Sequence, residues 1–228
     1  MELNLGTHER KEREKEHRRE EILDAAQRIF FEKGLQLATM DEIAETAELS
    51  KGTLYLYYKS KEDLYLAVMM RGLEVLHQRF AKVVQNGQSA ASMIVALNEA
   101  YVTFFEDHRE YFRMLHYHVT PQFHRNVSED MKISCNTLNQ TVWNLVFGIL
   151  QRGINEGFLR KDLNPAEVGV ILWSSSTALM LRIDSEYATW KEGFHIDLIK
   201  TLRLSNTLLF DSLCTEAGRK TLKTIANI

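Results

Sequence analysis

Residues 39–64 read TMDEIAETAELSKGTLYLYYKSKEDL and contain three helix starts in close succession. Thr39 and Glu42 form a capping-box pattern, in which each side chain satisfies the free backbone amide of the other residue. Ser50 and Ser60 are each suited to cap a further helix. Short helices that follow one another this closely, with a tight turn between the first two, predict a helix-turn-helix.

The chain around this stretch is predicted to be helical almost throughout. Its 228 residues include only 11 glycines and 2 prolines, too few turn residues for a many-stranded sandwich or barrel. Apolar residues recur at helical spacing from Ile22 to Phe30 and again, with breaks, from Leu64 to Leu213. We therefore expect an all-α fold, in which an N-terminal three-helix helix-turn-helix domain precedes a larger C-terminal helical domain.

Three segments are expected along the chain: a charged arm over residues 1–20, the helix-turn-helix domain over 21–66 and the larger helical domain over 67–228. The arm alternates acidic and basic residues without an apolar face, which is typical of a solvated or frayed segment. Helix breaks in the larger domain are predicted at Asn86-Gly87, Thr120-Pro121, Asn155-Glu156-Gly157 and Asn164-Pro165.

The overall charge excludes a globally basic nucleic-acid binder but not a local basic surface. The chain has 28 basic and 31 acidic residues, a formal net charge of −3. Between Leu49 and Lys61, however, the charged residues are lysines only: Lys51, Lys59 and Lys61. A lysine-only stretch at a helix-turn-helix favours local DNA binding, and the alternative is three solvated lysines on a structural helix.

Cysteine usage and hydropathy predict a cytoplasmic protein without a membrane partner. Cys135 and Cys214 have no metal-ligand spacing, so two free thiols in a reducing compartment are expected. The N-terminus lacks the apolar core of a signal peptide. The longest uncharged apolar stretch, 168–181, falls short of the about 20 residues that cross a bilayer.

The second short helix has the features of a helix that reads DNA. Leu54 and Tyr58 point the same way at helical spacing and are predicted to pack inward. The outward and flanking positions are Gly52, Thr53, Leu56, Tyr55 and Tyr57. Small or hydrogen-bonding outward residues let a helix lie deep in the major groove, and tyrosine hydroxyls at its edges can contact phosphates.

Residues 22–65 resemble the DNA-binding domain of the TetR (tetracycline-repressor-like) family of bacterial transcription regulators, and the pattern SKGTLYxYxxSKExL is especially specific. The resemblance implies a homodimer that binds palindromic double-stranded operator DNA. It also implies a C-terminal helical domain that binds a small molecule and releases the DNA. Carried over by position, the expected DNA contacts are Thr39, Lys51, Thr53, Tyr55, Tyr57 and Lys61, with Gly52 permitting close approach.

Three positions in this region depart from the family or vary within it. The family usually has glycine where this chain has Glu48, and a non-glycine residue with positive φ costs about 1 kcal/mol, so the turn is either strained or differently shaped. Tyr58 stands where phenylalanine is usual, so its hydroxyl needs a partner or water. Leu56 is at a variable position; an outward leucine could contact a thymine methyl group or make no contact.

Aromatic residues in the larger domain are candidates for an effector pocket. The candidate lining residues are Asn98, Tyr101, Phe104, Phe105, Phe112, Tyr117, Trp143, Phe147 and Trp173. Such residues suit an apolar or aromatic effector, although ordinary core packing explains each of them equally well. Asn98 could orient a ligand or could be a hydrogen-bonded core amide.

The last two long helices are predicted to bury more than one face. Their apolar residues lie on two stripes, which favours a subunit contact. In the family the corresponding pair forms a four-helix dimer interface. The candidate interface residues here are Leu172, Ser175, Leu179, Leu202 and Leu209.

No catalytic residues, cofactor or metal are expected. The chain contains no GxSxG, P-loop, GxGxxG or HExxH motif. Four histidines, His108, His116, His118 and His124, lie close in sequence, but His116 and His118 diverge on a helix. Two functions remain: a ligand-responsive regulator, most simply a repressor, or a DNA-binding protein controlled by a protein partner in a nucleoid-organising or activating role.

Overall fold

The computed structural model describes residues 3–85, 89–117 and 121–225, and within these ranges the all-α prediction is confirmed. The described helices are α1 (Leu3–Leu37), α2 (Met40–Thr46), α3 (Lys51–Tyr57), α4 (Lys61–Gln85), α5 (Ala90–Asp107), α6 (Arg109–Tyr117), α7 (Pro121–Asn126), α8 (Glu129–Asn155), α9 (Pro165–Gly193), α10 (Leu198–Leu213) and α11 (Glu216–Ile225). The breaks predicted at Asn86-Gly87 and at Thr120 lie outside the described residues.

The charged arm is helical rather than frayed, since α1 begins at Leu3. Its described side chains from residue 8 onward are almost all exposed, as an arm without an apolar face requires. Ion pairs one turn apart explain the helix: Arg10 lies 2.8 Å from Glu14, and Arg18 lies 2.8 Å from Glu21. Such pairs stabilise exposed helices by about 0.2–0.5 kcal/mol each.

The chain forms two compact units, and each consists of two chain segments. Unit 1 contains Met1–Val75 and His108–Asn139, and unit 2 contains Leu76–Asp107 and Gln140–Ile228. The helix-turn-helix therefore shares a unit with α6, α7 and the beginning of α8, a division that differs from the contiguous segments expected from the sequence.

The core of unit 1 joins both of its chain segments. Tyr65 on α4 lies edge-on to Phe30 of α1, with ring centroids 5.1 Å apart, and edge-on to Phe123 of α7, at 5.7 Å. Leu54 of α3 is completely buried in the same core. Helix α3 is therefore packed on a core that includes residues of the later chain segment.

A second junction in unit 1 holds α6 against α4 and α1. A Cβ atom at Gly72 would lie 2.6 Å from the Tyr111 ring, so only glycine allows this approach. The Tyr111 hydroxyl donates a hydrogen bond to Gln27 at 2.7 Å, and Arg71 donates one to Asp24 at 2.7 Å.

Unit 2 is built around a separate apolar core, to which Ile94, Leu150, Leu159 and Val168 contribute fully or almost fully buried side chains. The predicted helix start at Asn164-Pro165 is confirmed, because the Asn164 side chain accepts hydrogen bonds from the amides of Ala166 and Glu167. Cys135 and Cys214 are both free thiols.

Candidate nucleic-acid interface

The capping box that begins α2 is present as predicted. The Glu42 amide donates to the Thr39 hydroxyl at 3.2 Å, and the Thr39 amide donates to the Glu42 carboxylate at 3.0 Å. Lys33 of α1 donates to the other carboxylate oxygen at 2.7 Å. The hydrogen bond from Lys33, followed by those from Thr39, lowers the pKa of Glu42. The carboxylate thus fastens the start of α2 to α1.

The turn between α2 and α3 keeps the left-handed geometry that favours glycine. Glu48 has a φ of 55°, and its amide donates to the carbonyl of Glu45 at 3.0 Å. The Leu49 amide donates to the carbonyl of Ala44 at 2.8 Å. This pair of bonds is the Schellman pattern, whose left-handed position normally carries glycine. Of the two alternatives, the strained turn is therefore the one observed.

Helix α3 buries one side and exposes the other, as its sequence predicts. Ser50 caps it by accepting a hydrogen bond from the Thr53 amide at 3.0 Å. Leu54 is 0% and Tyr58 5% exposed, and burial raises the pKa of Tyr58 to about 12, so the phenol stays neutral. The outward side chains are Lys51, Tyr55 and Leu56, with Gly52 between them, while Thr53 and Tyr57 are half-buried.

The lysines near α3 have weak partners that a phosphate can replace. The Lys51 ammonium lies 2.8 Å from the Asp41 carboxylate, and hydrogen bonding to that carboxylate raises the pKa of Lys51. Lys59 lies 3.9 Å from Asp130. Exposed pairs of this kind are worth little to stability, so exchanging them for DNA costs little.

Lys61 and Thr39 are brought together at the edge of the helix-turn-helix. The Lys61 ammonium donates a hydrogen bond to the carbonyl of Ala38 at 2.8 Å. Because that carbonyl belongs to the peptide bond preceding Thr39, the positive charge lies beside the cap of α2. A cation next to a helix N-terminus is a suitable place for an anionic oxygen.

Two features of this region were missed by the sequence analysis. Leu37, the last residue of α1, is 73% exposed. It follows Gly34, whose φ of 69° interrupts the helical geometry three residues earlier. The buried Asp63 carboxylate accepts a hydrogen bond from the amide of Ser128, a residue 65 positions away. A contact between residues so far apart leaves no local signal.

The candidate pocket residues are divided between the two units. Tyr101, Phe104 and Phe105 are buried in unit 2, and Phe112 is buried in unit 1. Trp143 stacks on Phe147, with ring centroids 5.2 Å apart, and lies edge-on to Trp173 at 5.7 Å. The side chain of Tyr117 lies outside the described part of the chain.

Asn98 is a hydrogen-bonded amide in unit 2. Its carbonyl oxygen accepts a hydrogen bond from the side-chain amide of Asn206 at 3.0 Å. The Ser176 hydroxyl donates to the carbonyl oxygen of Asn206, also at 3.0 Å. Nearby on α5 and α9, the hydroxyls of Tyr101 and Thr177 lie 2.6 Å apart. This polar network ties α5, α9 and α10 together.

Helices α9 and α10 expose apolar residues from unit 2. Among the candidate interface residues, Leu172, Ser175, Leu179 and Leu209 are half-buried. Leu202 is only 3% exposed, because it faces the interior of its own unit. The outward apolar side chains are instead Val170, Ile171 and Trp173 on α9, and Leu204 and Leu208 on α10.

By length and composition alone, α9 is long and apolar enough to cross a membrane. One such helix is weak support for a span, because the core helices of soluble proteins pass the same test. Outward apolar residues of this kind are also what a subunit contact would bury.

Within the described ranges, no group of three or more His, Cys, Asp or Glu side chains is placed to hold a metal ion. The His116 ring lies 4.5 Å from that of Phe112, and burial lowers its pKa to about 4. His118 lies outside the described residues.

Residues 22–68 match the family model of bacterial regulatory proteins of the tetR family. The transcriptional activator FasR of Mycolicibacterium smegmatis is 30% identical over 135 residues, which cover 58% of this chain and 60% of that protein. The transcriptional repressor KstR2 of Rhodococcus jostii is 27% identical over 160 residues, covering 66% of this chain and 72% of the repressor.

A likeness in fold extends over most of the chain. The structure of the transcriptional regulator FadR from Bacillus subtilis, in complex with stearoyl-CoA, matches with a TM-score of 0.62. The match has 18% sequence identity and covers 83% of this chain and 96% of that one. The capped helix-turn-helix, its sequence motif and the family match agree, and residues 22–68 are a DNA-binding domain of the tetR family of bacterial regulatory proteins.

Proposed function

We propose that this protein is a ligand-responsive repressor that binds palindromic operator DNA as a homodimer and is released by a small apolar or aromatic effector. It acts in the cytoplasm, where its DNA is, and it is a binding protein rather than an enzyme. The observation that carries this proposal is α3: a capped helix with a fully buried anchor, Leu54, and an outward side that carries Lys51, Gly52 and Tyr55.

The DNA-binding part of the proposal rests on two sets of residues, one placed to approach base edges and one placed to contact phosphates. Outward positions with small side chains let the α3 backbone approach base edges in the major groove. Lys51, Tyr55 and Tyr57 border the helix and can reach flanking phosphates. Thr39 and Lys61 offer a hydroxyl and an ammonium group beside the start of α2. Phosphate contacts of this kind fix the register of the protein on the duplex.

The homodimer part rests on the outward apolar residues of α9 and α10. Leu204 is 57% and Leu208 61% exposed, and α9 adds Ile171 at 51%. A symmetric dimer would bury this surface against its own copy. Two α3 helices related by a two-fold axis would then suit half-sites about one helical turn apart.

The effector part rests on the aromatic content of unit 2 and on the relatives. Tyr101, Phe104 and Phe105 provide buried aromatic surface on α5, which suits a largely apolar ligand. The relative FadR is described in complex with stearoyl-CoA, a molecule with a long apolar chain. An effector that binds one form of the dimer more tightly shifts the population toward that form. In the form that the effector favours, the spacing of the two α3 helices would not match successive major grooves.

The proposal is tested by titrating a palindromic duplex, selected from a random pool by the wild-type protein, at several salt concentrations. Lys61→Met keeps the apolar stem and removes the charge. We expect it to weaken binding to all sequences and to flatten the dependence of log K on log salt by about 0.9 for each phosphate that the protein no longer neutralises.

Lys191→Met is the matched control, since Lys191 is an exposed lysine on α9. It should leave both affinity and slope unchanged. An unchanged slope for Lys61→Met would remove Lys61 from the phosphate contacts. A wild-type protein that selects no sequence from the pool would refute operator binding altogether.

A further inference from the structure

The most exposed large apolar side chain among the described residues lies in the last turn of α3. Leu56 is 84% exposed, more than any other such side chain in the described ranges. Its exposure is not a consequence of a poorly packed helix, because Leu54, two residues earlier, is completely buried. The helix is firmly seated, and it presents a leucine to solvent.

The surroundings of Leu56 leave it free to approach another molecule closely. Helical side chains lean toward the N-terminus, so that of Leu56 lies over the turn that contains Gly52. A Cβ atom at Gly52 would meet only the Ser50 hydroxyl, at 3.8 Å. The backbone beside Leu56 is therefore bare, and the outward neighbours along the helix, Lys51 and Tyr55, carry polar groups at their ends.

This composition does not suit an apolar protein partner. Protein-binding apolar surfaces extend over several hundred square ångströms. On the outer side of α3, Leu56 is accompanied by Lys51, Gly52 and the half-buried Thr53 rather than by other aliphatic residues. One aliphatic side chain among hydrogen-bonding groups fits a target that is mostly polar but has a single apolar point.

The major groove of DNA provides such a target. Each base edge offers hydrogen-bond donors or acceptors there, and the 5-methyl group of thymine is the apolar exception. We propose that Leu56 contacts the 5-methyl group of one thymine in each operator half-site and so determines sequence preference at that position. This inference rests on the proposed function, since it requires α3 to lie in the major groove.

The test replaces single thymines by uracil, which removes the methyl group and leaves every hydrogen-bonding group in place. The operator is first selected by the wild-type protein from random duplex DNA, and dissociation constants are then measured by fluorescence anisotropy. One thymine per half-site should be sensitive, with about fourfold weaker binding for one replacement and about 15-fold for both, as burial of one methyl-sized group implies. Leu56→Ala should bind the thymine and uracil duplexes equally.

Two controls separate this contact from a loss of folding. Leu56→Ala should unfold at the wild-type temperature, because the side chain is exposed. Ile133→Ala removes another exposed aliphatic side chain of unit 1, one that is 57% exposed on α8, and should keep the full thymine-to-uracil effect.

The inference is overturned if no thymine is sensitive, or if the sensitive thymine remains equally sensitive in Leu56→Ala. Both results leave operator binding intact, because a preferred sequence has been selected. If the wild-type protein selects no sequence at all, the proposed function fails and this inference fails with it.

Discussion

The carboxylate of Asp63, in the first turn of α4, accepts a hydrogen bond from the backbone amide of Ser128 at 2.7 Å. Asp63 is only 2% exposed. The neighbouring groups make the same connection: the Ser60 hydroxyl donates to the carbonyl of Asn126 at 3.0 Å, and the Asn126 side chain donates to Glu62 at 2.9 Å. The start of α4 is thereby fastened to the link between α7 and α8.

Removal of the Asp63 carboxylate should destabilise the protein. Asp63→Ala leaves the Ser128 amide without its acceptor, and we expect a loss of about 1–3 kcal/mol in the free energy of unfolding, measured with urea. Asp63→Asn keeps an acceptor oxygen and should lose less. Glu62→Ala, which removes the more exposed neighbouring bond, should cost less than about 1 kcal/mol. Equal losses for Asp63→Ala and Glu62→Ala would contradict this role.

Replacement of Glu48 by glycine should stabilise the protein. The φ of 55° at this residue costs a side-chain-bearing residue about 1 kcal/mol that glycine avoids. We expect Glu48→Gly to raise the free energy of unfolding by up to about 1 kcal/mol. Glu45→Gly, in the helical part of α2, is the control and should lower it by about the same amount. A decrease for both variants would show that the turn is not strained.

Gly52→Ala should separate folding from DNA binding. The added Cβ has only the Ser50 hydroxyl near it, and alanine favours the helix, so stability should be unchanged or slightly raised. Operator affinity should fall by about tenfold or more, equivalent to about 1.4 kcal/mol, because the methyl group stands between the helix and the groove. The matched control is Gly148→Ala on α8, where nothing lies within 4 Å of the added Cβ. If both variants bind the operator normally, α3 does not approach DNA closely at Gly52.

The capping box should make stability sensitive to acid. Hydrogen bonds from Lys33 and Thr39 lower the pKa of Glu42 in the folded protein. A lowered carboxylate pKa contributes stability that is present above the unfolded value, near 4.3, and is lost as the pH falls through the folded value. Urea unfolding from pH 5.5 to pH 3 should therefore show a smaller acid-induced loss for Glu42→Gln than for the wild type. Identical pH profiles for these two proteins would exclude the contribution of this carboxylate; Glu45→Gln, elsewhere on α2, is the control.

An acidic residue at the outward surface of α10 should dissociate the proposed dimer. Leu208 is 61% exposed in the single chain, so Leu208→Asp should fold normally. In the dimer it would place two desolvated charges at the contact, and sedimentation should show monomers with weakened operator binding. Ile133→Asp, a comparable change in unit 1, should remain dimeric. If Leu208→Asp remains dimeric, the subunits do not contact each other through this surface of α10.

The elements that the sequence predicted well are those with local causes. The Thr39–Glu42 box, the Ser50 cap and the Asn164-Pro165 helix start each depend on residues within one turn of each other. Leu54 and Tyr58 follow equally directly from helical spacing. The positive φ of Glu48 was one of two alternatives, because local sequence indicates the need for a turn but not how its strain is tolerated.

The features that the sequence did not predict depend on distant residues or on sums of weak effects. The arm was expected to be solvated or frayed because it has no apolar face; its side chains are exposed, but pairs such as Arg10–Glu14 suffice to extend the helix through it. Leu202 was assigned to a subunit contact because both stripes of α10 are apolar, and periodicity does not say which stripe its own unit buries. The approach of Tyr111 to Gly72 depends on tertiary packing between separate segments.

The division of unit 1 between Met1–Val75 and His108–Asn139 has a consequence for biosynthesis. A ribosome completes α3 long before it reaches Phe123 and Ser128, whose contacts with Tyr65 and Asp63 complete the unit. Part of the core of the nascent helix-turn-helix therefore stays exposed to solvent until the later segment has been synthesised. A chain truncated within that segment would leave this core incomplete, so the cell would gain few DNA-competent fragments from aborted synthesis.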